Sequence, residues 1–194
     1  MTTCNTVVYQ TTLLVMVSNF PDHTNIKDNV LSLINSMPTS HMCSYGQSIS
    51  KSDWNLPKDS ARDYYAFMSK NWSNYLSGVY AAIGFSDFTV SDYWFQQYNS
   101  NDTHPWHAHG GVSLSSIYYV ELPEESIATE FINPYTRKTF KYPVKEGDVI
   151  TFPASLIHRS PVNNTSKRKT SIIVNSMVGN VAIDNTNMDV IHYR

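Results

Sequence analysis

The sequence predicts an α+β domain in which N-terminal helices buttress a β-sandwich or jelly roll. Two observations carry this expectation. Between residues 25 and 80 the apolar residues recur at helical spacing, and after Gly84 the chain changes to short β-type runs broken by turn residues. Helices grouped ahead of the strands, with no alternation between the two, fit a helix layer laid on an antiparallel sheet.

The elements follow in order. A first strand is expected at about 12–20. A first helix over 25–36 places Ile26, Val30, Leu31, Leu33 and Ile34 near helical spacing, with Asn25 as its N-cap and Pro38 beyond its end. A second helix runs over 59–80, where Ala61, Tyr65, Met68, Trp72, Tyr75, Leu76 and Val79 make one apolar stripe. That stripe is packing surface and not a cofactor box. Strands are expected at 88–97, 112–122, 128–132, 148–152 and 170–178. Internal repeats, low-complexity tracts and linkers are absent from the sequence, so residues 1–194 are read as one domain: 1–84 supplies the first strand and supporting helices, and 85–180 the core.

Composition excludes several classes. A chain of 194 residues can bury about 70% of its unfolded surface in one core. Its net charge of −2, without a basic cluster, argues against nucleic acid as a partner; Lys167-Arg168-Lys169 reads as a solvated loop. No run approaches the roughly 18 apolar residues of a membrane span. The first twenty residues lack a basic leader and cleavage site, and two cysteines, Cys4 and Cys43, are too few for a disulfide framework. A reduced, cytoplasmic protein is the expectation.

The chemistry concentrates in the histidines. Of seven, His104, His107 and His109 fall within six positions, and His107 and His109, two apart, would share a face on an extended strand. A further histidine, His158, follows the apolar segment Gly147-Asp-Val-Ile-Thr-Phe-Pro153. An H-x-H pair closed by a histidine from a later strand favours a metal site over isolated core imidazoles. His104 is read as lining the pocket or supporting a ligand, with Pro105 opening the strand. No Ser-His-Asp or Cys-His nucleophile pattern, phosphate-cradling loop, CxxC pair or dinucleotide fingerprint competes.

Residues 107–120 resemble, without a gap, the motif H-x-H-P-x-x-x-x-S-G-V-Y-Y-V of a family of iron(II)- and 2-oxoglutarate-dependent oxygenases found in bacteria and bacteriophages. Phe131-Ile-Asn-Pro134 is similar to its F-x-D/N-P turn, Glu146 to His158 to its E-G-D-L-x-x-F-P-x-x-L-x-H segment, and Lys169 to Asn175 to its R-x-S-I-S-F-N. The resemblance covers nearly the whole chain, with its specific part in 94–175. It implies a double-stranded β-helix holding Fe(II), with 2-oxoglutarate as co-substrate and molecular oxygen as oxidant, and a protein side chain or small metabolite as the group hydroxylated. A homodimer, and host cytoplasm for a viral source, are consistent with it.

The resemblance also assigns residues. His107 and His158 correspond to the usual histidine ligands, and His109 stands where most such oxygenases carry aspartate. Three neutral imidazoles leave the metal's charge uncompensated until the dianionic co-substrate binds, and they soften selectivity against zinc, copper and nickel. The alternatives are a metal with two protein ligands, or Asp102 swinging in. The family's arginine for the distal carboxylate falls on Lys169, with Ser171 on the same face; a slip of one would bring in Arg168 instead. Of Tyr118 and Tyr119, on opposite faces, parity favours Tyr119 as the hydroxyl directed at the co-substrate unless Gly110-Gly111 adds a bulge. Two other readings remain: a cupin-like metal-binding module, weakened because Val112–Ser116 lack its glutamate, and a three-histidine dioxygenase that needs no 2-oxoglutarate and hence no cationic anchor.

Overall fold

A computed structural model describes residues 13–44 and 46–179; Cys4 and the start of the expected first strand lie outside them. In chain order the elements are β1 (Met16–Asn19), α1 (His23–Ser36), β2 (Ser40–Ser44), β3 (Gln47–Ser52), α2 (Asp63–Ala81), β4 (Phe88–Tyr98), β5 (His104–His107), β6 (Leu114–Glu121), a 3-10 turn (Glu125–Ile127), β7 (Glu130–Ile132), β8 (Thr139–Phe140), β9 (Asp148–Pro153), β10 (His158–Ser160) and β11 (Lys169–Val178). All strand pairs are antiparallel, in a seven-stranded sheet ordered β1-β9-β6-β11-β4-β3-β2 and a four-stranded sheet ordered β5-β10-β7-β8. Among the described residues no helix is long and apolar enough to cross a membrane.

Alternation along the central strands builds three layers. On β11, Ile172 and Val174 pack with Tyr118, Val120 and Phe95 against α1 and α2, through Val30, Ile34, Met68, Trp72 and Leu76. Their neighbour Ile173 faces the other way, into a second core with Trp94, Ile117, Tyr119, Ile150 and Phe152 of the large sheet and Phe131 of the small one. The side chains that matter for chemistry occupy this inner face.

Three sequence expectations are corrected. Asn25 is not the cap of α1, which starts two residues earlier behind Asp22; the amide of Asn25 donates to the Asp22 carbonyl inside the first turn. The second helix begins at Asp63 and not at 59, because Arg62 is drawn into a buried pair with Asp53 (Nε–Oδ2 2.8 Å) and its Nη1 donates to the Ser60 carbonyl at 3.2 Å, closing the preceding segment as a turn. The N-terminal part also contributes more strand than expected: β2 and β3 form a hairpin turning at Gly46, whose φ is +79°. At Gly147, φ +88°, an added Cβ would meet the His23 ring at 2.8 Å, so both conformation and space call for glycine in the turn before β9.

Candidate metal centre

The small sheet delivers the first two imidazoles by register. In the β5–β10 pair His158 stands directly opposite His107, and their ring centroids are 4.3 Å apart. His109 does not share a strand with His107, contrary to expectation. It lies in the loop after β5, where its backbone N–H donates to the Ala154 carbonyl (2.9 Å) and its ring Nδ1 meets Asn175 Oδ1 (2.9 Å). The rings of His107 and His109 lie 5.3 Å apart, and those of His109 and His158 5.0 Å.

Each of the three imidazoles has its Nδ1 beside an oxygen acceptor: Pro105 O for His107 (2.8 Å), Leu156 O for His158 (2.8 Å), and Asn175 for His109. Those acceptors fix the Nδ1–H tautomer and leave Nε2 with a free lone pair, the arrangement that orients a metal ligand. One ring nitrogen from each residue lies within 4.8 Å of the others. Three ring nitrogens bound to one ion at about 2.1 Å lie about 3.0–3.6 Å from one another, so the rings draw together by about 1–2 Å to hold an ion. Burial lowers the pKa of all three, His158 to about 3 with help from His107, so the rings are neutral and available as ligands. His104 stacks on His107 at 4.0 Å and is lowered to about 3 by burial and its imidazole neighbours, but it stays outside the three-nitrogen group and lines the adjoining space.

Asp102 is not available to swing in. Its carboxylate is 6% exposed and accepts from the Ser48 hydroxyl (2.6 Å), the Ser50 amide (3.0 Å) and hydroxyl, and the Asn99 amide (2.8 Å). It closes the loop ahead of β5 by tying that loop to β3.

A narrow slot leads from the imidazoles between the two sheets, walled by Lys169, Ser171, Ser160, Thr129 and Arg159. Lys169 is 2% exposed; its Nζ donates to Ile127 O (2.8 Å) and Ser160 Oγ (2.9 Å), and among the described residues no carboxylate lies within 4.0 Å of it. An ammonium has three donors, so one remains. Burial lowers its pKa to about 7, with Lys141 adding to the shift and Glu130 opposing it. Two residues on, Ser171 Oγ is buried without any partner. A buried cation lacking its anion, next to an orphan hydroxyl, is a cradle for a carboxylate.

Two sequence candidates are placed elsewhere. Arg168 faces the outside of the sheet, where Nε and Nη2 bind the Glu121 carboxylate at 2.8 and 3.1 Å; register sends it to the face opposite Lys169. Tyr118 points into the helix layer and meets His23 Nδ1 at 2.7 Å. Tyr119 does lie on the inner face, opposite Ser171 of β11, although the loop 108–113 breaks the strand parity with the histidines; its hydroxyl is taken up by Thr129 Oγ1 (2.9 Å) and the Thr129 amide (3.2 Å). It supports the slot through its ring, 5.8 Å from Lys169 Nζ. Trp94, Thr129 and Ser160 also wall the slot, and no local sequence pattern marks them, because strand pairing brings them there from separate segments.

The chain matches no protein-family model and no curated protein sequence. Solved structures do resemble it. An oxidoreductase of the 2OG-Fe(II) oxygenase family from Burkholderia pseudomallei superposes with a TM-score of 0.61 at 10% identity, over 87% of this chain and 86% of that one. A Pseudomonas putida prolyl-4-hydroxylase gives 0.57 at 12% identity, over 86% and 93%. The viral collagen prolyl hydroxylase of Paramecium Bursaria Chlorella virus-1, solved as a 2OG complex, gives 0.55 at 14% identity, over 84% and 94%. The fold is therefore the jelly roll of these oxygenases, with helices backing the larger sheet.

Proposed function

We propose that this protein is an iron(II)- and 2-oxoglutarate-dependent oxygenase that hydroxylates a protein side chain or a small metabolite. The observation that carries the reading is Lys169: a fully buried ammonium without a counter-ion, opening with Ser171 into the slot beside three imidazoles. A three-histidine dioxygenase working on oxygen alone has no use for that cation. In this reading His107, His109 and His158 hold the metal, and Lys169 and Ser171 take the distal carboxylate of the keto acid. Iron held there would supply oxygen activation, one oxygen atom going to the substrate and the other to succinate as 2-oxoglutarate loses carbon dioxide. The chain's own work is placement: Asn175 and two backbone carbonyls aim the rings, Lys169 orients the co-substrate by charge, and the layer of Ile117, Ile173 and Trp94 keeps water from the slot.

An anaerobic visible spectrum of protein reconstituted with iron(II), before and after 2-oxoglutarate, tests the reading. A new metal-to-keto-acid charge-transfer band is expected. Iron bound with no band would sink it.

Lys169→Met provides a second check with two opposite effects. Affinity for 2-oxoglutarate is expected to fall about 100-fold, the loss of a charge-assisted contact of about 2–3 kcal/mol. The ligand-free variant, by contrast, gains about 1–3 kcal/mol at pH 7, because an unpaired buried charge is replaced by an apolar chain. The pH dependence follows from the lowered pKa. Between about 7 and 10.5 the unfolded chain holds a proton that the folded one lacks, so the parent's stability rises with pH across that window. The variant's advantage is therefore full at pH 7 and below and shrinks towards pH 10.5. Urea denaturation at pH 7 and 9.5 measures it; an equal advantage at both values would contradict the assigned cause.

A further inference from the structure

A second, wider cavity of about 380 Å³ borders His104, His107 and His109, within the usual size range of ligand pockets. The two spaces are opposite in charge. The slot has Lys169 in its wall and no carboxylate, Arg159 there being paired with Glu130 at 2.6 Å, whereas the wall of the wide cavity has Asp92 and, among the described residues, neither lysine nor arginine. Strand register explains the separation. Tyr98, Gln96, Trp94 and Asp92 alternate along one face of β4, opposite Lys169, Ser171, Ile173 and Asn175 of β11. The cationic and anionic ends are therefore six residues, or about 20 Å, apart along the strand, and His109 is bound to Asn175 at the anionic end.

Three features of the wide cavity call for a guest. Trp94 is 5% exposed and its Nε1–H has no acceptor. Trp54, 49% exposed, packs against it with ring centroids 4.4 Å apart and planes at 69°, and lines the cavity. Asp92 Oδ1 is held at 2.8 Å by the Lys58 ammonium, which lies outside the cavity wall and is 83% exposed on its side chain. A pair that exposed is weak, and it shows which kind of group the carboxylate accepts.

We propose that the wide cavity receives a basic side chain, the ammonium of a lysine or the guanidinium of an arginine within a peptide, as the substrate group brought to the metal. The inference rests on the oxygenase reading above. Asp92 accepts from the cation in place of Lys58, the Trp54 face adds a cation–π contact, and the Trp94 indole donates to the peptide carbonyl. An anionic substrate would meet Asp92 with no compensating charge.

Tryptophan fluorescence of the metal-free protein, titrated with N-acetylated, C-amidated lysine, arginine, norleucine and glutamate, tests this without turnover. Lysine and arginine amides are expected to bind about tenfold more tightly than norleucine, with glutamate weakest. Asp92→Asn should erase that preference, Lys58→Ala should strengthen lysine binding about threefold by removing the internal competitor, and Trp94→Phe should weaken the amides while sparing spermidine, which has no carbonyl. Equal binding of lysine and norleucine amides, or an Asp92→Asn variant that still prefers lysine, overturns the inference; spermidine binding more tightly than the lysine amide overturns its peptide part. The keto-acid band separates the two readings. If the band forms and no basic selectivity is found, the substrate assignment alone fails. If basic selectivity is found and no band forms, the oxygenase reading fails.

Discussion

His158→Ala is expected to lose bound iron and, with it, keto-acid-dependent turnover by about 10³-fold or more, since the metal step supplies several kcal/mol and each 1.4 kcal/mol is tenfold. His158 is 3% exposed, sits opposite His107 across the β5–β10 pair, and has its Nδ1 held by Leu156 O, which aims its other ring nitrogen at the site. The neighbouring His104→Ala is the discriminating control. Its ring packs on His107 but lies outside the three-nitrogen group, so it should keep near-stoichiometric iron. Metal analysis after gel filtration gives the first readout and thermal unfolding the second. Iron at 100 times its dissociation constant should stabilise the parent and His104→Ala by about 2.7 kcal/mol and leave His158→Ala unmoved. Full iron content in His158→Ala, or its loss in His104→Ala alone, would reassign the ligands.

What could be read from the sequence depended on whether local pattern or distant register decides. The central strands β4, β6, β9 and β11 carry long runs of β-forming residues and were legible nearly to the residue. Strands β5, β8 and β10, of two to four residues, show no pattern of their own because pairing with their neighbours defines them. The histidines were legible as a set, since H-x-H and the segment leading to His158 are local features. That His109 reaches the site from a loop, through Asn175, was not. The choice between Lys169 and Arg168 turned on one residue of register, which flips a side chain to the other face of a sheet; pairing Lys169 with Tyr98 puts it inside and leaves Arg168 to Glu121. Asp102 looked like a spare carboxylate because sequence does not reveal that Ser48, Ser50 and Asn99 converge on it. The wide cavity was invisible for the same reason: Trp54, Asp92 and Val112 come from three separate segments.

The segment that carries Trp54 depends on one buried carboxylate, and Asp53→Ala is expected to destabilise the fold by about 3–5 kcal/mol, the cost of leaving its partner charge unpaired in the interior. Asp53 is fully buried and accepts from the Phe95 amide, Arg62 Nε and the Tyr64 hydroxyl, each at 2.8 Å. It thus ties the end of β3 to β4 and to the start of α2. Arg62, 8% exposed, is left without its anion in the variant, and its remaining bonds to the carbonyls of Asp53, Leu56, Pro57, Lys58 and Ser60 (3.2–3.5 Å) cannot neutralise it. For a domain of this size the melting temperature should fall by roughly 10 °C. Asp53→Asn retains an acceptor for the Phe95 amide and should fall between parent and alanine variant. Arg62→Met combined with Asp53→Leu should recover much of the loss, because replacing both ions with apolar groups removes the desolvation penalty along with the attraction. Such a double variant separates stability from function. Its core would be restored while the turn once held by Arg62 is released, so Trp54 loses its fixed place against Trp94, and binding in the wide cavity should weaken while iron content stays near the parent's. A single Asp53→Ala effect below 1 kcal/mol would mean that the pair is solvated in solution and that packing of Trp54 on Trp94 holds the segment instead.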